Sequence, residues 1–213
     1  MKTGDLIKRL NIRYDVMTLK REWQVLKEHV DTTDLSNVQQ IGLTHTRDCE
    51  DDNKWTQAVG SLFWEQNSHL VEKNFSVVNE SLRELCPYIY QICHEVKHEY
   101  HIGRIRVMVM KPTSVYQMHH DFERRFHLPI LSPKDSFYYV RLNENNFYNE
   151  EVLESAHGVG FHMKDDGFLY QIEASNSHTA VNPCTYDKHE DRVHIVISKD
   201  DFDFKYTLLV LIP

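Results

Sequence analysis

The chain has 213 residues, 41% of them hydrophobic and 11% aromatic, which is enough apolar material for one sizeable globular domain. A formal net charge of −8 argues against broad nucleic-acid binding, which needs a basic face. No apolar run reaches the length of a membrane span.

The start, MKTGDLIKRLNIRYD, lacks the apolar run of a signal peptide. The four cysteines, Cys49, Cys86, Cys93 and Cys184, are scattered without metal-type spacing, so a reduced, cytoplasmic protein is expected. In chain order, VMTLKREWQVLKEHV carries Leu19, Trp23, Leu26 and Val30 at helical spacing. DDNKWTQAVGSLFWEQN reads as loop followed by helix or strand. SLRELCPYIYQICHEVKHEY places Leu82, Leu85, Ile89, Ile92, Val96 and Tyr100 on one helical stripe, with Pro87 as a candidate kink. At Gly103 the pattern changes to short alternating runs. RIRVMVMK puts Ile105, Val107 and Val109 on one face, and VYQMHHD, SFYYVRL, GFLYQIE, RVHIVIS and KYTLLVLIP follow as further strands. Many short strands with turns between them predict a jelly roll, α+β overall but mainly β. The expected organisation is a helix-rich support region over residues 1–103 and a double-stranded β-helix over 104–213, together one compact domain.

His94-Glu95-Val96-Lys97-His98 spells the H-E-x-x-H string of zinc metalloproteases. That chemistry needs both imidazoles turned into a cleft and a third ligand from downstream. At about 100° per residue, His94, His98 and His101 lie roughly opposite the apolar stripe, so a solvated polar face is expected instead.

The stretch YQMHHDFERRFHLPI crowds three His, one Asp and two Arg between strand formers. Alternate residues share a strand face, so His119-x-Asp121 brings an imidazole and a carboxylate to one point. Two His and one carboxylate form a facial set that leaves open positions on an octahedral Fe(II), and His178, in SNSHTAVNP, is the candidate third ligand. In DRVHIVIS, Arg192 and His194 share one face while Val193, Ile195 and Ile197 share the other. A single Arg on such a strand calls for a buried anion held by its fork. Arg125 and His127 repeat that pairing. Taken singly, each of these His has the alternative of an ordinary hydrogen-bonded structural residue, and Arg125 and Arg124 that of a surface ion pair.

The ordered set H-x-D, R-x-H-x-P, H-x-x-x-N and R-x-H, from about Arg104 to Ser198, resembles the aspartyl/asparaginyl β-hydroxylase family of Fe(II)/2-oxoglutarate dioxygenases, which includes L-proline hydroxylases. The resemblance implies a double-stranded β-helix with His119, Asp121 and His178 as iron ligands. It implies Arg192 as the grip on the distal carboxylate of 2-oxoglutarate, Arg125 and His127 as lining of the cosubstrate pocket, and Asn182 as a positioning residue, with His194 in support. KPTS stands where relatives often have Pro-Gly, and GFLY where they often have Gly-Glu and an aromatic. The expected function is hydroxylation of an amino acid, free or within a peptide, with Fe(II), 2-oxoglutarate and O2, and with neither nucleic acid nor membrane as partner. A cupin-like metal-binding protein without oxygenase activity is the alternative, and the zinc protease a more distant one.

Overall fold

A computed structural model describes residues 6–30, 33–35, 38–60, 70–100, 102–121, 124–141, 158–183 and 190–199. The expected strand at 205–213, the stretch 61–67, His101 and Cys184 lie outside the described residues.

The fold is mainly β, built on two antiparallel sheets. Alternation decides which face of each strand is buried, and against what. Strand β6 follows three elements of sheet in the first half of the chain: β1 (Ile7–Arg13), β2 (Thr33–Leu35) and β3 (Val38–Gly42). A small ladder, β4 (Thr44–His45) with β5 (Val77–Val78), stands apart. On β6 (Ile102–Met110), Ile105, Val107 and Val109 point to one side, and Arg104 and Arg106 to the other, yet both sides are buried. Strands β8 (Arg125–Leu131) and β13 (Arg192–Lys199) repeat this division, with Phe126, Leu128, Ile130, Val193, Ile195 and Ile197 on the apolar side. With β11 (Phe168–Ile172), the seven-stranded sheet runs β1-β11-β8-β13-β6-β3-β2.

Helices cover its apolar face. Helix α1 (Val16–His29) sets Leu19, Trp23 and Leu26 into the same core as the sheet residues. Asp15 caps it, its carboxylate accepting from the amides of Met17 and Thr18. The stripe expected from Leu82 to Tyr100 forms two helices rather than one kinked helix. Helix α2 (Leu82–Leu85) stops at Cys86, and α3 (Pro87–Tyr100) starts with proline at its first position, where no amide hydrogen is needed. The next two amides, Tyr88 and Ile89, donate to the Glu22 carboxylate of α1 at 2.9 and 2.8 Å, so one helix caps another.

The second sheet has the order β10-β9-β12-β7, from β7 (Ser114–Val115), β9 (Phe137–Arg141), β10 (Gly158–Phe161) and β12 (His178–Asn182). It faces the polar side of the large sheet. Tyr138 and Val140 of β9 meet Tyr170 and Ile172 of β11 in a small apolar cluster that closes one end of the gap. The first 103 residues therefore supply helices and also β1, β2 and β3 at the two edges of the large sheet. Among the described residues, no helix is long and apolar enough to cross a membrane.

Candidate metal centre

The H-x-D segment is not the regular strand that its alternation suggests. Pairing with β12 gives way after Tyr116 to an irregular extension, which rejoins at one isolated bridge. There the amides of His119 and His178 each donate to the other's carbonyl, at 3.0 and 2.7 Å. The Asp121 amide then donates to the carbonyl of Ala174 at 2.9 Å. These backbone bonds bring the three side chains together, and their ligand atoms lie within 4.8 Å of one another.

The rings are oriented before any metal arrives. Nδ1 of His119 sits 2.7 Å from the carbonyl oxygen of Gln117, and Nδ1 of His178 sits 2.8 Å from that of Asn176. A carbonyl only accepts, so each Nδ1 carries the proton and each Nε2 presents a lone pair. Burial, and then the neighbouring His119, pull the His178 imidazole down to about 4, so it is neutral at physiological pH. For Asp121 burial works against the charge. The Arg125 guanidinium, 3.0 Å away, overcomes that and holds the carboxyl well below the usual carboxylate range. Nε2 of His178 lies 3.7 Å from a carboxylate oxygen of Asp121, so two lone-pair bearers face each other with no proton between them. Such a set repels itself until a cation sits in its centre, and two imidazoles with one carboxylate suit Fe(II).

The surroundings sort the remaining expected residues. Arg125 departs from expectation. Its Nε holds Asp121, and its Nη1 donates to Glu72 at 3.0 Å, so the fork faces a ligand rather than an open pocket. Glu72 in turn takes both ends of the Arg104 fork, at 2.9 and 3.2 Å. Gly103 makes that approach possible, because a Cβ there would meet the carbonyl oxygen of Glu72 at 2.2 Å. His127 is buried beside His194, their Nδ1 atoms 3.4 Å apart, and it meets Tyr138 edge-on. Tyr138 stacks on His178. Arg192 is 3% exposed, and among the described residues its Nη atoms reach the Met110 sulfur and Nδ1 of His194, at 3.5 and 3.2 Å. Among the described residues no carboxylate pairs with it, and burial pulls it down to about 10, leaving it a cation at neutral pH. Burial, followed by the Arg192 charge, keeps both His127 and His194 neutral. Among the described residues Nε2 of His194 is buried without a partner, as is Oδ1 of Asn182, whose amide group donates to the carbonyls of Met110 and Glu190. An unpaired cation with orphaned polar atoms beside it fits an anionic ligand with further polar groups.

Glu72, Arg104 and Tyr138 were not among the expected residues. The signal that could have found the site is the alternation of Arg104 and Arg106 with Ile105 and Val107, which sets two guanidinium groups on one face of a core strand. Nothing in the stretch around Glu72 marks it as their anion. On α3, His94 and His98 are exposed, and among the described residues only His119, Asp121 and His178 gather as a metal-ligating group, so the protease arrangement is absent there. Arg124 makes a surface ion pair with Glu173 at 3.1 Å.

No family model matches the chain, and no curated protein does. Solved structures do. HygX from Streptomyces hygroscopicus, with nickel and 2-oxoglutarate bound, superposes with a TM-score of 0.52 at 11% identity, over 93% of this chain and 85% of that one. AviO1 from Streptomyces viridochromogenes Tue57 gives 0.51 at 12% identity, over 92% of this chain and 90% of that one. Their shared fold is the jelly roll. At such identities the likeness concerns architecture alone.

Proposed function

We propose that this chain is an Fe(II)/2-oxoglutarate-dependent dioxygenase that hydroxylates an amino acid, free or within a peptide. The observation that carries the reading is the convergence of three lone-pair atoms within 4.8 Å in the gap between the sheets, where Arg192 lies buried with no carboxylate partner among the described residues. His119, Asp121 and His178 would hold the metal, and Arg192 the distal carboxylate of 2-oxoglutarate. The bound metal with 2-oxoglutarate and O2 supplies the oxidising power for an unactivated C–H bond, releasing succinate and CO2. The chain's own residues orient and exclude. The carbonyls of Gln117 and Asn176 fix the imidazole tautomers, and Arg125 keeps Asp121 ionised and aimed. His127, His194 and Tyr138 wall the gap against water. HygX has been solved with nickel and 2-oxoglutarate, which supports the same cosubstrate here. A metal-binding jelly roll without oxygenase chemistry would have no use for the Arg192 charge. Membership of the aspartyl/asparaginyl β-hydroxylase family and the amino-acid substrate rest on the ordered motifs. A reducing, cytoplasmic setting is part of the same reading, supported by free Cys49, Cys86 and Cys93.

The test is succinate release from 2-oxoglutarate with Fe(II), screened against free amino acids and peptides, with mass spectrometry of the acceptor. We expect an added oxygen on an amino acid or peptide. We also expect metal content to vanish in the double variant His119→Ala, His178→Ala. Metal retained in that variant, or oxidation confined to a nucleoside or fatty acid, would sink the reading.

A further inference from the structure

The polar face of the large sheet buries more positive charge than the metal centre uses. Arg104 and Arg125 are answered by Glu72 and Asp121. Arg106 lies two residues from Arg104 on the same face of β6, 8% exposed, and forms no ion pair with any described carboxylate. Its Nη1 donates to Oε1 of Gln40 at 3.2 Å and to the carbonyl of Gly60 at 2.8 Å. Its Nε has no partner among the described residues, and neither has Nε2 of the fully buried Gln40.

The Gln40 amide is correctly oriented with that orphaned end. Its oxygen also accepts from the Gly60 amide at 3.2 Å, so turning the group over would set NH2 against two donors. Burial first, then Arg104 and Arg125, pull Arg106 down to about 9, which leaves it charged at neutral pH in the company of like charges. A buried cation and a buried amide donor, both short of an acceptor among the described residues and joined through Oε1 of Gln40, make an incomplete anion cradle.

Position makes it a substrate site rather than a second cosubstrate site. Arg106 pairs in register with Val196, and Val196 with His127, so two strand spacings, about 10 Å, separate it from the wall of the metal centre. Tyr116, whose ring lies 4.9 Å from that of His119, is among the groups acting electrostatically on Arg106. Arg192 pairs with Met110, four residues further along β6, roughly 13 Å away. Arg106 and Arg192 therefore reach the polar face at separate points.

We propose that Arg106 and Gln40 form a carboxylate-binding subsite for the substrate. The substrate is then a free amino acid or a peptide's C-terminal residue, because an internal residue has no carboxylate on its backbone. The inference rests on the reading of His119, Asp121 and His178 as an oxygenase centre.

Protein loaded with Mn(II) and 2-oxoglutarate, so that Arg192 is occupied, is titrated by calorimetry. The probes are the common L-amino acids and their α-carboxamides. At least one acid is expected to bind at least tenfold more tightly than its amide. Arg106→Lys and the volume-conserving Gln40→Met should each weaken the acid roughly tenfold, the worth of one hydrogen bond to a charged group, and leave the amide unchanged. A general structural fault would weaken both alike. The proposal falls if no acid binds, if acid and amide bind equally, or if the variants lose both together. Loss of Mn(II) or 2-oxoglutarate binding in the unmutated protein would sink the oxygenase reading by itself. The same acid-against-amide comparison on metal-free Arg192→Ala protein then decides the subsite.

Discussion

Arg192 and Arg125 are both buried guanidinium groups, and their surroundings give them opposite work. Among the described residues Arg192 has a sulfur and an imidazole for company, a setting that suits an anionic ligand. Replacing it by Ala should weaken 2-oxoglutarate at least tenfold, since losing a buried charge pair costs about 2–5 kcal/mol. Metal affinity should hold, and Arg192→Lys should restore only part of the loss because the planar fork is gone. Calorimetry of 2-oxoglutarate binding decides this, and equal affinities would remove the assignment. Arg125 is satisfied within the protein, by Asp121 and Glu72. Arg125→Met should therefore act on the metal, lowering its affinity roughly 10- to 100-fold as the ligating carboxylate loses its orienting partner. Glu72→Gln should produce a smaller loss of the same kind through Arg125. Metal titration of both variants checks the order of effects. In the sequence His119, Asp121, His178 and Arg192 stand out as candidates because they fall in motifs, and the structure brings the first three together. The sequence did not show that Arg125 turns toward Asp121. That depends on Glu72, which reaches it from far along the chain.

At the scale of elements, legibility followed periodicity. The apolar faces of β6, β8 and β13 and the stripe of α1 were plain, because each repeats one chemical type at a fixed interval. The H-x-D segment was harder. Its alternation is strand-like, but regular pairing with β12 ends after Tyr116 and resumes at the single bridge of His119 with His178. The turn before β7 explains part of that geometry. Thr113 has a φ of +62°, a left-handed conformation that suits glycine, at the KPTS position where the resembled family often carries Pro-Gly. The junction of α1 with α3 gives the sharpest element-level expectation. Glu22 supplies the acceptors that the first amides of α3 lack. Glu22→Ala should cost about 1 kcal/mol, in the range of a lost helix cap, and urea unfolding should show a lowered midpoint with an unchanged slope.

The whole molecule should resent acid more than its surface charge suggests. His127 and His194 are held neutral by burial and Arg192, so their folded pKa values lie below the unfolded one. As pH falls below about 6.5, the unfolded chain gains protons there that the folded one refuses, and stability drops. Glu72 adds to this in a lower window. Burial opposes its charge, but Arg104, Arg125 and Arg106 depress its pKa, so its contribution is present above the unfolded value and fades as pH falls through the folded one. Urea midpoints of the metal-free protein should decline from pH 7.5 to pH 5. In His127→Leu, His194→Leu the decline over that window should be shallower. A pH-independent midpoint in the unmutated protein would contradict the assignment.

The pairing of β1 with β11 has a kinetic consequence. Ile7 meets Ile172, and the ligand pair His119 and His178 is likewise joined across a long loop of chain. Contacts of such separation are entropically slow to close, so the helices and the local hairpins have time to form first. The corner that gathers His119, Asp121 and His178 then assembles among the late events of folding, together with the large sheet. A cell making this protein would hold, for that interval, chains with helices formed, the β6–β13 pairing still to close, and the candidate metal ligands not yet met.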